Sequence, residues 1–137
     1  MQIPILQKSY LIVSGMIAIV IGAIIVSDPV GAWLANGINL AESVSLLNDV
    51  QATSATLLVM GTLILAGAFI SSLTLTATVI SAALYGGYAL GRSLSLVTYG
   101  LPADGLVMAL GVEVLIAILG LFVLWTVRDS TRSELVV

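Results

Sequence analysis

"VQATSATLLVMGTLILAGAFISSLTLTATVISAALYGGYALG", residues 50–91, contains no Asp, Glu, Lys or Arg. A helix that crosses a bilayer needs about 20 mostly apolar residues. This run is about twice that length, so it must turn back on itself. The polar cluster Ser71–Ser72 with Thr74 and Thr76 is the place for the turn, which divides the run into spans at about 50–71 and 73–98. Upstream, residues 9–27 form a third apolar run between Lys8 and Asp28. Downstream, residues 104–127 form a fourth between Asp104 and Arg128. The first run is longer than the roughly 7–15 residues of a signal-peptide core, so it is read as a span. The expectation is an all-α membrane protein: a four-transmembrane-helix bundle forming one integral membrane domain over residues 1–137.

Composition points the same way. The chain is 60% hydrophobic and 8% charged, against roughly 25% charged in a soluble domain. A chain of 137 residues cannot build a core large enough to hide that much apolar surface from water. There is no Cys and no His. This excludes disulfides, thiol nucleophiles and Cys-ligated metals, and removes the usual proton shuttle near neutral pH. No cofactor and no metal are expected. A net charge of −3 argues against nucleic acid, which calls for a basic face.

Charge also orients the chain. Lys8, Arg128 and Arg132 share one side with Asp129 and Glu134, while Asp28, Glu42, Asp49 and Asp104 lie on the other with no Lys or Arg. Lys and Arg near span ends stay cytoplasmic. Both termini are therefore expected in the cytoplasm of a bacterium, with a multi-pass chain in the inner membrane and the 28–49 and 99–104 connections outside.

The longer connection, "DPVGAWLANGINLAESVSLLND" (28–49), reads as a short amphipathic outer-face helical segment. Asp28–Pro29 suits a helix start and Asn36–Gly37 a stop. Ile38, Ala41, Val44 and Leu47 then recur at helical spacing. Trp33 is a residue type that favours a headgroup boundary.

Within the third span, Ser81, Tyr85, Tyr88, Arg92, Ser95 and Tyr99 fall on one stripe. Beside it run Ala83, Gly87, Gly91 and Ser95, each four apart. Small residues at that spacing admit a neighbouring helix. The fourth span has one internal acid, Glu113, flanked by Ala109, Ala117 and Gly120. Arg92 and Glu113 lie about equally far from the hairpin tip at Leu101–Pro102. At ~1.5 Å rise per residue they therefore reach the same depth.

An ionised side chain mid-span costs ~2.5–3.5 kcal/mol on insertion scales, and arginine does not deprotonate to avoid it. An Arg92–Glu113 pair is expected. It serves as a structural fastener or as a site, unless Arg92 simply snorkels to the interface. Asn48, Asp49, Gln51, Ser54, Thr98, Tyr99 and Asp104 gather at the same end and outline a polar pocket, with Tyr85 and Tyr88 as its deeper wall. The opposite half of the bundle reads as almost purely apolar. Such a pocket suits a membrane lipid or another hydrophobic ligand with a small polar head.

Gly91, Arg92, Ser95, Leu96, Gly100, Pro102 and Glu113 resemble the motif of a bacterial four-span membrane family catalogued as a domain of unknown function. That family also tends to carry Asn-x-x-Arg-Ala-x-Tyr-Gly-Gly at the start of its second span. Here "NDVQATSAT" keeps Asn48 and Ala52, but Gln51 replaces the arginine, Ser54 the tyrosine, and Ala55–Thr56 the glycines. The resemblance implies a four-helix membrane fold and no activity.

The functional expectation is a non-enzymatic small membrane protein. It would be an accessory or self-associating subunit, as a homo-oligomer or within a larger membrane complex, with membrane lipid in its outer pocket. A small oligomeric carrier or channel built on the Arg–Glu pair is the alternative. An enzyme on a lipid substrate, using Glu113 as acid or base, ranks last, because general acid–base work needs a tuned pair in reach of substrate.

Overall fold

The computed structural model describes the backbone of residues 3–134 and the side chains of residues 3–127. Five helices follow one another: α1 (Ile5–Ser27), α2 (Pro29–Leu34), α3 (Val44–Gly67), α4 (Thr74–Tyr99) and α5 (Asp104–Glu134). No strand occurs among the described residues. Three segments, Ile5–Ser27, Val44–Gly67 and Asp104–Val127, are long and apolar enough to cross a membrane. α4 is long enough, but its threonines, serines, tyrosines and Arg92 keep it below the hydropathy of the other three. The even four-span pattern expected from the sequence is thus three apolar helices, a fourth long helix with a polar face, and one short helix.

α1 packs along α3, and α4 along α5. α3 also meets α4, α1 touches both α4 and α5, and α3 and α5 do not meet among the described residues. The α1–α3 seam is closed by small residues on both sides. A Cβ at Gly15 would stand 2.8 Å from Leu65 N, one at Gly22 would stand 2.8 Å from Leu58 N, and one at Gly61 would stand 2.8 Å from both Ile19 N and the Ala18 Cβ. Backbone meets backbone here, which only residues without bulk allow. Leu11, Ala18, Ile64 and Ala68 are buried along this line.

α1 and α4 run parallel and are joined by a polar ladder. Gln7 Nε2 donates to Thr78 Oγ1 at 3.0 Å, Tyr10 OH to Ser81 Oγ at 2.9 Å, and Tyr85 OH to the Ser14 carbonyl at 2.6 Å. Each pair is 71 residues apart in sequence, which fixes the register. Gly120 of α5 leaves room for the Tyr10 ring; a Cβ there would run into the Tyr10 hydroxyl. This corrects the expectation that the N-terminal half of the bundle is almost purely apolar. Its polar atoms are present and satisfy one another, as buried polar groups must.

The α3–α4 turn occupies residues 68–73, starting earlier than the Ser71–Ser72 cluster suggests. Gly67 is the reason. A side chain there would collide with the Ala77 Cβ, and Thr74 Oγ1 donates to the Gly67 carbonyl at 2.8 Å, tying off the end of α3.

The connection between α1 and α3 follows its turn chemistry. Asp28 Oδ1 accepts from Gly31 N–H at 2.8 Å and caps α2. The helix closes with Gly37 at φ +74°, the Gly37 N–H on the Leu34 carbonyl at 2.8 Å and the Ile38 N–H on the Trp33 carbonyl at 3.1 Å, a Schellman stop. The helical spacing of Ile38, Ala41, Val44 and Leu47 does not extend that helical segment, for no helix forms over residues 38–43. Asn39 Oδ1 takes the Ala41 N–H at 3.0 Å, the local competition that makes Asn a turn former. Ser43 Oγ then caps a helix starting at Val44, so Val44 and Leu47 belong to α3.

At the N-terminal end the Lys8 ammonium lies 5.4 Å from the Phe69 ring centre, within cation–π range. The side chains of Arg128, Asp129, Arg132 and Glu134, on which the charge asymmetry partly rests, lie outside the described residues.

Candidate functional site

At the turn α3 and α4 are in contact; toward their other ends a cavity of about 780 Å³ separates them. Ile17, Ile21 and Ile25 of α1 form one apolar wall. α3 presents Asp49, Val50, Thr53, Ser54 and Leu57, and α4 presents Ala83, Leu84, Tyr85, Gly87, Tyr88, Gly91 and Arg92. α5 adds Ala109, Val112 and Glu113, and Trp33 of α2 stands at the rim end.

Arg92 Nε donates to Glu113 Oε1 at 2.9 Å. The pairing expected from equal depth is present between adjacent antiparallel helices. Its form is more informative than its presence. Arginine and carboxylate commonly close as a two-bond fork, but only one bond forms here. Glu113 is 8% exposed, and its second oxygen, Oε2, is buried with no hydrogen-bond partner among the described residues. The Trp33 indole Nε1 is in the same condition. One spare acceptor and one spare donor therefore belong to residues that line the same cavity.

The remaining candidates divide by helix phase. Tyr88 is half-buried in the wall. Tyr85 also lines the cavity, but its hydroxyl is committed to Ser14. Ser95 and Tyr99 continue the α4 stripe beyond the cavity and are exposed, Tyr99 by 86%. Asn48 and Gln51 are exposed and off the wall. The α3 residues that face inward are 49, 50, 53, 54 and 57, a helical face that skips 48 and 51.

The small-residue candidates also divide. Gly120 sits in a tight contact with Tyr10 and Ala82, and Ala117 lies 3.9 Å from where a Gly86 Cβ would be. A Cβ at Gly87 or Gly91 would meet nothing within 4 Å. These two, with Ala83 and Ala109, form cavity wall where a helix contact was expected. Their smallness widens the cavity, because the helix opposite α4 at this level, α3, offers Asp49, Thr53 and Leu57 and no glycine.

Among the described residues no three His, Cys, Asp or Glu side chains converge as metal ligands would. What the arrangement offers is an apolar chamber with one polar wall, where the Arg92–Glu113 pair stands with exposed Asp49.

A family profile described as a domain of unknown function, DUF4345, matches residues 6–124, from the first turn of α1 to near the end of the apolar part of α5. The chain belongs to the DUF4345 family. The matched region takes in α2, α3, α4 and every cavity residue. No curated protein and no solved structure matches the chain. The family therefore supplies membership and no activity.

Trp33 and the three isoleucines of α1 escaped the sequence reading as site residues. Trp33 read as an interfacial anchor, and nothing in the spacing of Ile17, Ile21 and Ile25 separates a cavity wall from a lipid face.

Proposed function

We propose that this chain is a four-span membrane protein whose cavity binds an amphipathic, lipid-like molecule, and that it acts by binding, without catalysing a reaction. The observation that carries the reading is a chamber of about 780 Å³ in which hydrocarbon walls meet a single ion pair. Ligand sites commonly have about 300–1,000 Å³, mostly apolar lining and a few convergent polar groups.

α4 is the fourth crossing in this reading. Its polar face is taken up by α1 and the cavity. Leu75, Val79, Leu90, Leu94 and Val97 are exposed and recur at helical spacing, the side a lipid-facing helix presents. Both termini lie on the cytoplasmic side by the charge rule, and the chain serves as an accessory or self-associating subunit in a bacterial inner membrane. The carrier alternative needs a polar route through the N-terminal half, where Gln7, Tyr10 and Ser81 bond to one another or to Thr78.

The absence of native cysteine makes the topology directly testable. Ser72→Cys and Leu101→Cys, probed with a membrane-impermeant maleimide in sealed right-side-out vesicles, should label from opposite sides. Labelling from the same side removes α4 as a crossing. Purified in mild detergent, the native chain should release an extractable amphiphile at close to one per chain; ligand-free protein from native membranes contradicts the binding reading.

A further inference from the structure

We infer that the head group recognised in this cavity is uncharged and hydroxylated, as in a monoacylglycerol, rather than a carboxylate, phosphate or amine. The inference rests on the cavity being a binding site and deepens that reading.

The wall is nearly compensated: Arg92 is neutralised by Glu113, and Asp49, exposed at the wall, adds one further negative charge. An anionic head would meet two carboxylates for one guanidinium already engaged. A cationic head would gain from exposed Asp49, but at the buried end it would displace or crowd the guanidinium already paired with Glu113, where like charges repel strongly.

What the cavity lacks is specific. Glu113 Oε2 lacks a donor and the Trp33 indole N–H lacks an acceptor among the described residues; both atoms belong to cavity-lining residues and are buried, so a head group reaches them only as those side chains turn toward it. Buried polar groups left unpaired destabilise the fold, so a ligand that pairs them is favoured. A hydroxyl both donates and accepts, and a neighbouring ester or second hydroxyl supplies further acceptors. The Arg92 guanidinium, with only its Nε engaged, has N–H groups left for those oxygens. Ile17, Ile21, Ile25 and Leu57 provide for the hydrocarbon tail.

Trp33 is also the reporter. The chain has two tryptophans; Trp125 is 63% exposed and is removed as Trp125→Phe. That protein, in phosphatidylcholine nanodiscs, is titrated with three probes carrying the same dibrominated C18 tail: a monoacylglycerol, a fatty acid and a primary amine. The pH is one at which the carboxylate and the ammonium are both charged. The monoacylglycerol should quench Trp33 saturably at about tenfold lower mole fraction than either charged probe. With Glu113→Gln added, Arg92 is left uncompensated and the preference should pass to the fatty acid.

If the fatty acid or the amine quenches as well as or better than the monoacylglycerol in the protein retaining Glu113, the head-group inference is wrong while the binding site stands. If none of the three quenches saturably, the binding reading itself fails. The comparison in the Glu113 protein decides the inference even if Glu113→Gln does not fold.

Discussion

Two stripes of small residues in this molecule look alike in sequence and end differently. Gly15, Ala18 and Gly22 of α1 meet Ser54 and Gly61 of α3 with backbones in contact. Ala83, Gly87 and Gly91 of α4 border a cavity, and a Cβ at either glycine would meet nothing within 4 Å. Small spacing gives permission for close approach; a second small face opposite is what converts permission into contact. α3 supplies that face to α1. To α4 it offers side chains with bulk or charge, and the space between them remains.

The sharpest way to break the comparison is to add bulk to the closed seam. Gly61→Leu should lower stability by about 3 kcal/mol, at the upper end of overpacking costs, read as a large fall in thermal midpoint in detergent.

The polar wall comes next. Glu113→Leu leaves a guanidinium without its counter-ion. Removing one partner of a fully buried pair costs about 3–5 kcal/mol, and partial exposure of the Arg92 side chain, 30%, brings the expectation to about 2 kcal/mol. The double variant Arg92→Met/Glu113→Leu should recover most of that loss, because no uncompensated charge remains. If it is as unstable as the single variant, the pair is not what holds the wall.

A smaller effect sharpens the contrast between the two ends of α4. Tyr85→Phe removes the bond to the Ser14 carbonyl and should cost about 1 kcal/mol. Tyr88 lines the cavity and is half-buried there. Tyr88→Phe should therefore leave the thermal midpoint near native and change only the retention of bound amphiphile.

Much of this was legible in the sequence because the governing physics is one-dimensional. The absence of charge over 50–91 dictated helices that pair in a hairpin. Equal distance from Pro102 brought Arg92 and Glu113 to one level. Asp28 and Gly37 marked the two ends of α2 through capping rules that act within a few residues.

What was not legible depends on partners distant in sequence. The Gln7–Thr78, Tyr10–Ser81 and Ser14–Tyr85 ladder requires α1 and α4 to lie parallel in one register, which no local pattern announces. Whether Gly87 faces a helix or a cavity is decided by residues on α3. The helical periodicity of Ile38, Ala41, Val44 and Leu47 was real, but Asn39 and Ser43 override it with side-chain bonds that break the run in two.

The most direct test fills the space. Gly87→Leu adds bulk where a Cβ meets nothing within 4 Å. Its thermal midpoint should stay within about 2 °C of that of native protein stripped of its amphiphile, while the co-purifying amphiphile, counted by native mass spectrometry, is lost. A fall in midpoint comparable to that of Gly61→Leu would mean that a helix packs against this face. Full retention of the amphiphile at an unchanged midpoint would mean that it binds somewhere other than the cavity. Either result contradicts a ligand chamber between α3 and α4.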